Sequence, residues 1–141
     1  MIISEYKNHI RNRVYMSGVD RDKLRVKKTA EVFTPNHLVI EMINKLDHDF
    51  PELFTDPTKT FIDNSCGDGE FLGEIVIRKI ERSGCSLDQA LSTTYGVDLM
   101  EDNIMECKKR LVGPNPTTEL IEIVNKNIVC SDGLIYGYNF E

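Results

Sequence analysis

Three aspartates and two glycines are the residues of this 141-residue chain best placed by type and spacing to do chemistry. Asp63, Asp98 and Asp132 each close a short apolar run: "TFID" at 60–63, "TYGVD" at 94–98 and "NIVCSD" at 127–132. In open α/β sheets, ligands bind beyond the carboxyl ends of the strands. A carboxylate there accepts hydrogen bonds from hydroxyls, amines or amides. One such acid is equally well explained as a helix cap or a solvated turn residue. Three at strand ends favour a binding site. Between the first aspartate and the next helical pattern lies "NSCGDGEF", where Gly67 and Gly69 leave the backbone bare, so that it can turn sharply and approach a ligand closely.

The charge of that loop selects among ligands. Asp63 and Asp68 flank it, an unfavourable setting for a pyrophosphate and a favourable one for an ammonium or sulfonium group. The dinucleotide fingerprint GxGxxG is also poorly matched: Leu72 stands where its third glycine belongs, and Gly73 comes one residue late. Asp98 lies 29 residues beyond Gly69, whereas the ribose-binding acid of a dinucleotide site follows about 20 residues along.

The elements that must hold these residues are legible from periodicity. Tyr6, Ile10 and Val14 are four apart and predict a helix over 4–16, with Ser4 as its cap. Residues 18–31 read as a polar linker or weak helix. Pro35 holds Thr34 extended, and Asn36 is placed to cap a helix with the stripe Leu38, Val39, Met42, Ile43 and Leu46. A loop or short turn follows around Pro51 and Pro57. Then come a strand at 60–63, the glycine loop and a helix over 70–82 with Phe71, Leu72, Ile75, Val76 and Ile80 facing inward. Ser86 and Gln89 have capping-box spacing. A strand at 94–98, a helix over 101–111, a short helix or irregular segment at 119–127 and a third strand complete the order. Such alternation argues for a parallel sheet with crossover helices.

Composition bounds the rest. The length suits one domain with a real core. Cys66, Cys85, Cys107 and Cys130 include no CxxC pair, so neither a zinc site nor a disulfide framework is expected. His9, His37 and His48 have no partner pattern and read as helix-face or surface residues. Tyr136 and Tyr138, alternating with glycine, read as a short edge strand in preference to the lining of a pocket. No apolar run approaches the roughly 20 residues of a membrane span, and residues 1–15 lack the apolar core of a signal peptide. A cytoplasmic protein without membrane partners is expected. The net charge of −6 divides into +5 over residues 1–28 and −11 over 29–141. A basic N-terminal helix or arm (1–28) is therefore expected beside an acidic body (29–141). Contact of that arm with a nucleic-acid backbone weighs about equally against a solvated helix face.

The ordered motifs resemble a known family. "FIDNSCGDGEF" is similar to the first S-adenosylmethionine motif of class I methyltransferases, in the DPxCGxGxF form of adenine-specific (N6) DNA methyltransferases. Asn64 stands where that form has proline. "EVFTP" resembles the FTP element upstream of it, "YGVDLMEDNIMECKKRL" the second motif and "NIVCSDGL" the third, so the resemblance spans about residues 29–135. It implies a Rossmann-like, three-layer α/β sheet and S-adenosylmethionine as cofactor. It further implies that Thr34 approaches the methionine end and that Asp63 holds the amino group. Main-chain amides of Cys66, Gly67 and Gly69 would lie against the methionine portion, and Phe71 would help close the loop. Asp98 would accept the ribose hydroxyls, Leu99 would pack on the adenine face, and Asp132 would accept the exocyclic amine.

The acceptor half of such an enzyme is not in the sequence. The family's (N/D/S)PP(Y/F) motif, whose polar group and carbonyl accept from the amine and whose ring stacks on a flipped base, is absent, and "PNP" at 114–116 lies in the wrong segment. A DNA-recognition region is absent too, leaving only the basic residues of 1–28 as a DNA contact. The expected sheet therefore stops before its fourth core strand. Three readings follow: a piece of a longer adenine methyltransferase, a split subunit completed by a partner chain, or a non-catalytic binding or interaction module. In each, the exposed sheet edge invites a partner chain or self-association.

Overall fold

The computed structural model describes residues 2–12 and 34–140. The order is α1 (Ile3–Arg11), α2 (Asn36–Asp49), α3 (Glu52–Thr55), β1 (Phe61–Asp63), α4 (Glu70–Ser83), α5 (Leu87–Ser92), β2 (Thr94–Asp98), α6 (Glu101–Val112), α7 (Thr118–Asn127) and β3 (Ile128–Cys130). The three strands form a parallel sheet in the order β1-β2-β3. The protein is thus an α/β fold, and α4–α5 and α6–α7 are its two crossovers.

Register decides which side chains face the helices. Asp63 is level with Gly96, and Asp98 with Cys130. Phe61, Asp63, Thr94, Gly96, Asp98 and Ile128 therefore share one face, because side chains alternate along a strand. A Cβ at Gly96 would lie 2.7 Å from Leu72 Cδ1 and 3.0 Å from Cys66 Sγ, so α4 lies directly against this face. Thr94 Oγ1 donates to the Ala90 carbonyl of α5. Ile104, Cys107, Leu120 and Val124 join the same core cluster from α6 and α7. The opposite face carries Ile62, Tyr95, Val97 and Val129. There Phe140 packs on Tyr95, with ring centroids 4.8 Å apart.

The helix start and stop residues explain the boundaries. Ser86 Oγ accepts from Gln89 N at 3.1 Å and Thr117 Oγ1 from Leu120 N at 3.2 Å, which caps α5 and α7. Gly84, at φ +74°, ends α4 with the left-handed turn that glycine adopts without penalty. The segment left as helix or irregular at 119–127 is helix α7. Two expected caps fail. Ser4 lies inside α1, whose N-cap is Ile2, and Asn36 is the first residue of α2, after Pro35. The stripe of α2 is narrower than expected: Val39 and Ile43 are buried with Phe54 in a second small cluster, while Leu38 and Met42 are exposed. Residues 136–140 form no strand.

α1 is a core element rather than an arm. Tyr6 and Ile10 are fully buried against α4 and α6, and the Tyr6 hydroxyl donates to the Leu111 carbonyl at 2.8 Å. Lys7 pairs with Glu81, and Arg11 forms a two-pronged pair with Glu74 at 2.8 and 3.0 Å. The other six basic residues of 1–28, the proposed linker and the boundary at 28/29 lie outside the described residues. Among the described residues no helix is long and apolar enough to cross a membrane, and no group of three His, Cys, Asp or Glu side chains could hold a metal ion.

Candidate functional site

Three loops stand at the carboxyl ends of the strands. The first leaves β1 at Asp63 and reaches α4 through Gly67 and Gly69, at φ +54° and +92°. Both values lie in the left-handed region that favours glycine. A Cβ at Gly69 would also lie 2.9 Å from Cys107 Sγ on α6, so glycine here permits loop and helix to touch. The second loop passes from Asp98 to α6. The third follows β3 and meets the first: a Cβ at Gly133 would lie 2.2 Å from the Asn64 carbonyl oxygen. The loops after the two outer strands thus touch each other.

The acids at the strand ends have different surroundings. Asp98 ends β2 and is only 9 % exposed. Its Oδ1 accepts from Gly67 N at 3.1 Å, and its Oδ2 accepts from Met100 N and Asn103 Nδ2, both at 3.0 Å. Asp98 therefore ties the glycine loop to the start of α6. A carboxylate takes about four hydrogen bonds, so these three donors leave room on Oδ1. Asp63 ends β1 half-buried, and its Oδ1 accepts from Ser65 N at 3.0 Å. Burial pushes its carboxyl above the ordinary range; the Ser65 amide opposes this and the nearby Asp98 charge adds to it. Asp132 lies two residues beyond the end of β3. Its carboxylate accepts from Leu134 N and its carbonyl from Ile135 and Tyr136 amides, so it organises a turn.

The main-chain amides differ from expectation. Cys66 N donates to the Val97 carbonyl at 2.9 Å, Gly67 N to Asp98 and Gly69 N to the Cys66 carbonyl at 3.0 Å. All three amides expected to face a ligand are bonded within the protein, because the loop is too short to leave β1 and enter α4 without bonding to itself and to β2. Contact with those amides would require exchange of these bonds. Anion capture by a loop depends on converging unengaged N–H groups; with these three engaged, the nearby carboxylates give the loop acceptor character.

The remaining expected residues divide. Leu99, beside Asp98, is 55 % exposed. The Cys66 side chain is buried against Gly96, and contact with Cys107 together with burial pushes its thiol well up. Phe71 is half-buried and packs against the Val39–Ile43–Phe54 cluster. Thr34 is half-buried just before α2. Two residues later, Asn36 Nδ2 donates to Glu74 at 3.1 Å and Glu70 at 3.4 Å, which brings this upstream segment to the start of α4. An open groove of about 650 Å³ lies elsewhere, on the opposite sheet face, lined by Ile62, Asn64, Tyr95, Tyr138 and Phe140 among others. None of the nine expected residues lines it.

Several site residues carried too little signal to be found by sequence. Gly133 and Asn36 matter through contacts distant in the chain, and Asn103 through its side-chain bond to Asp98 five residues before it. The Asp-Gly pair at 132–133 is a turn signal and was the one cue to the close approach at Asn64.

Comparison with protein-family models, curated proteins and solved structures gives no significant match.

Proposed function

We propose that this chain binds S-adenosylmethionine in the crevice above β1 and β2. We propose further that it is the cofactor-binding part of an adenine-specific DNA methyltransferase, on a Rossmann-like sheet that a third, helical layer completes. The observation that carries this reading is the chemistry of the glycine loop. Its amides at 66, 67 and 69 are engaged internally, and a carboxylate held at elevated proton affinity stands at its mouth. That arrangement suits a ligand bringing an ammonium and a sulfonium, and disfavours phosphate.

In this reading Asp63 accepts the ammonium, whose charge offsets the cost that burial places on the carboxylate. The open position on Asp98 Oδ1 accepts a ribose hydroxyl while the other bonds hold the loop. Leu99 covers the adenine face, and Asp132 reaches the exocyclic amine from the third loop. Thr34 approaches the methionine end, and the loop at Cys66, Gly67 and Gly69 lies along it, with Phe71 supporting the start of α4 from behind. When bound, the cofactor supplies an electrophilic methyl group for in-line displacement by the adenine N6. The chain's own part is positioning. The sequence has no (N/D/S)PP(Y/F) motif, so the residues that hold the adenine and contact DNA come from elsewhere, joined by a partner chain or a second copy along the edge of β1 that no described strand pairs with.

A second reading is an interaction module without transfer chemistry. The open groove beside Tyr95, lined by the half-exposed Ile62 together with Tyr138 and Phe140, favours it. One experiment separates the two. Photo-crosslinking with methyl-labelled S-adenosylmethionine, followed by peptide mapping, should place the label on peptides spanning 61–72 or 98–104, and unlabelled S-adenosylhomocysteine should displace it. Label confined to the peptides carrying Tyr95 and Tyr138, or label that the competitor does not displace, would reject the crevice as the site.

A further inference from the structure

Among the described residues Arg110 is the largest fully buried side chain, at 1 % exposure on α6. Its Nη1 lies 3.0 Å from Glu70 Oε1, and its Nη2 lies 3.5 Å from Asp68 Oδ2. These two acids stand on either side of Gly69. The guanidinium thus grips the glycine loop at the residues flanking its left-handed turn. The stem matters as well as the charge: Arg110 Cδ lies 3.6 Å from where a Cβ would stand on Gly69, and equally close to one on Gly73. Both glycines leave space that this side chain fills. Glu70 in turn accepts from Asn36, which also bonds to Glu74, the partner of Arg11. One chain of polar contacts therefore joins α6, the glycine loop, the start of α2 and α1.

A buried ion pair is a poor device for stability alone, because apolar replacements of similar volume are often neutral or better. Two acids, Asp68 and Glu70, set against a buried arginine therefore call for a different reason. We propose that Arg110 is a positioning residue: it holds the Gly67–Gly69 turn in its binding shape from behind and, through Glu70 and Asn36, sets Thr34 beside it. The consequence for cofactor affinity rests on the S-adenosylmethionine reading; the hold on the loop does not.

The test is a neutral triple variant of the full chain, Arg110→Met with Asp68→Asn and Glu70→Gln, which leaves no buried charge uncompensated at this contact. Hydrogen exchange is read at the amides of Cys66, Gly67 and Gly69, and at β2 and β3 amides as the reference. The expected result is a folded protein whose loop amides exchange at least tenfold faster while the strand amides are unchanged. S-adenosylmethionine affinity should fall at least tenfold. A general loss of stability would instead move all these amides together. Arg110→Lys, which keeps the charge but not the fork, should give an intermediate increase confined to the loop, and this variant decides the matter if the triple variant does not fold. Loop exchange unchanged in a folded variant, or raised only in step with the strands, would overturn the proposal. Failure of the unaltered protein to bind S-adenosylmethionine would overturn the cofactor reading, and the exchange comparison would still decide the role of Arg110.

Discussion

Asp63 and Asp98 show why residue type and position were readable while role was not. Both stand at strand ends, as the sequence predicts, because an acid after an apolar run marks where a buried strand emerges. Their surroundings depend on side-chain and backbone bonds that residue type and spacing do not show. Asn103 and the Gly67 amide give Asp98 a structural duty beside any ligand contact. Gly69 was legible as a turn glycine, but its contact with Cys107 was not. Asp63 lends itself to the sharper prediction. Its folded-state proton affinity is raised, so below the ordinary carboxylate value the folded and unfolded chains are equally protonated. As pH rises through the raised value, the folded chain must ionise a half-buried group, and stability is lost. Asp63→Asn should therefore raise the denaturation midpoint at neutral pH and flatten this acid-range dependence in a urea titration. The same substitution should weaken S-adenosylmethionine binding by about tenfold to a hundredfold, the scale of a lost charge-assisted hydrogen bond. In the unaltered protein, affinity should fall as the medium is acidified and Asp63 takes up its proton. Affinity independent of both changes would remove Asp63 from the site.

The elements were mostly legible, since amphipathic periods and turn residues specify a helix or strand locally. What an element packs against was not. The spacing of Tyr6 and Ile10 predicted α1, and the local charge count described 1–28 as a basic helix or arm without showing what α1 packs against. The structure turns Lys7 and Arg11 onto α4 and puts Tyr6 in the core. α4 supplies another buried polar group at the opposite end of the sheet. Lys79 is fully buried, its ammonium donating to the Lys59 carbonyl at 3.0 Å and to Thr93 Oγ1, and lying 5.3 Å from the centre of the Phe61 ring. Burial brings its pKa down to about 8. Between that value and the ordinary lysine range, the unfolded chain holds a proton the folded chain has released, so this group's contribution makes stability rise with pH. Lys79→Met should be about 1 kcal/mol more stable than the unaltered protein at pH 7, and that advantage should shrink toward pH 10. Taking the difference between the two proteins cancels the opposing ionisation of Tyr6 and Cys66, whose proton affinities burial raises. Thermal melts at both pH values check this; an advantage that grows with pH would contradict it.

At the scale of the whole molecule, the strand order β1-β2-β3 places the crossover helices on one sheet face and leaves Ile62 and Tyr95 on the other. Parallel sheets are ordinarily covered on both faces, and among the described residues no strand pairs with the outer edge of β1. Alternating strand and helix patterns made the parallel sheet legible. The touching of the first and third loops at Gly133 and Asn64 was not, because it is a contact between segments 69 residues apart. The central claim concerns the crevice those loops surround: acceptor groups and carboxylates arranged for a cationic nucleoside. Titration calorimetry of the full chain at neutral pH tests it most directly. S-adenosylmethionine should bind in a one-to-one ratio, S-adenosylhomocysteine should compete for the same site, and NAD should give no saturable heat. A silent titration with both adenosyl compounds, or preferential binding of NAD, would contradict the account.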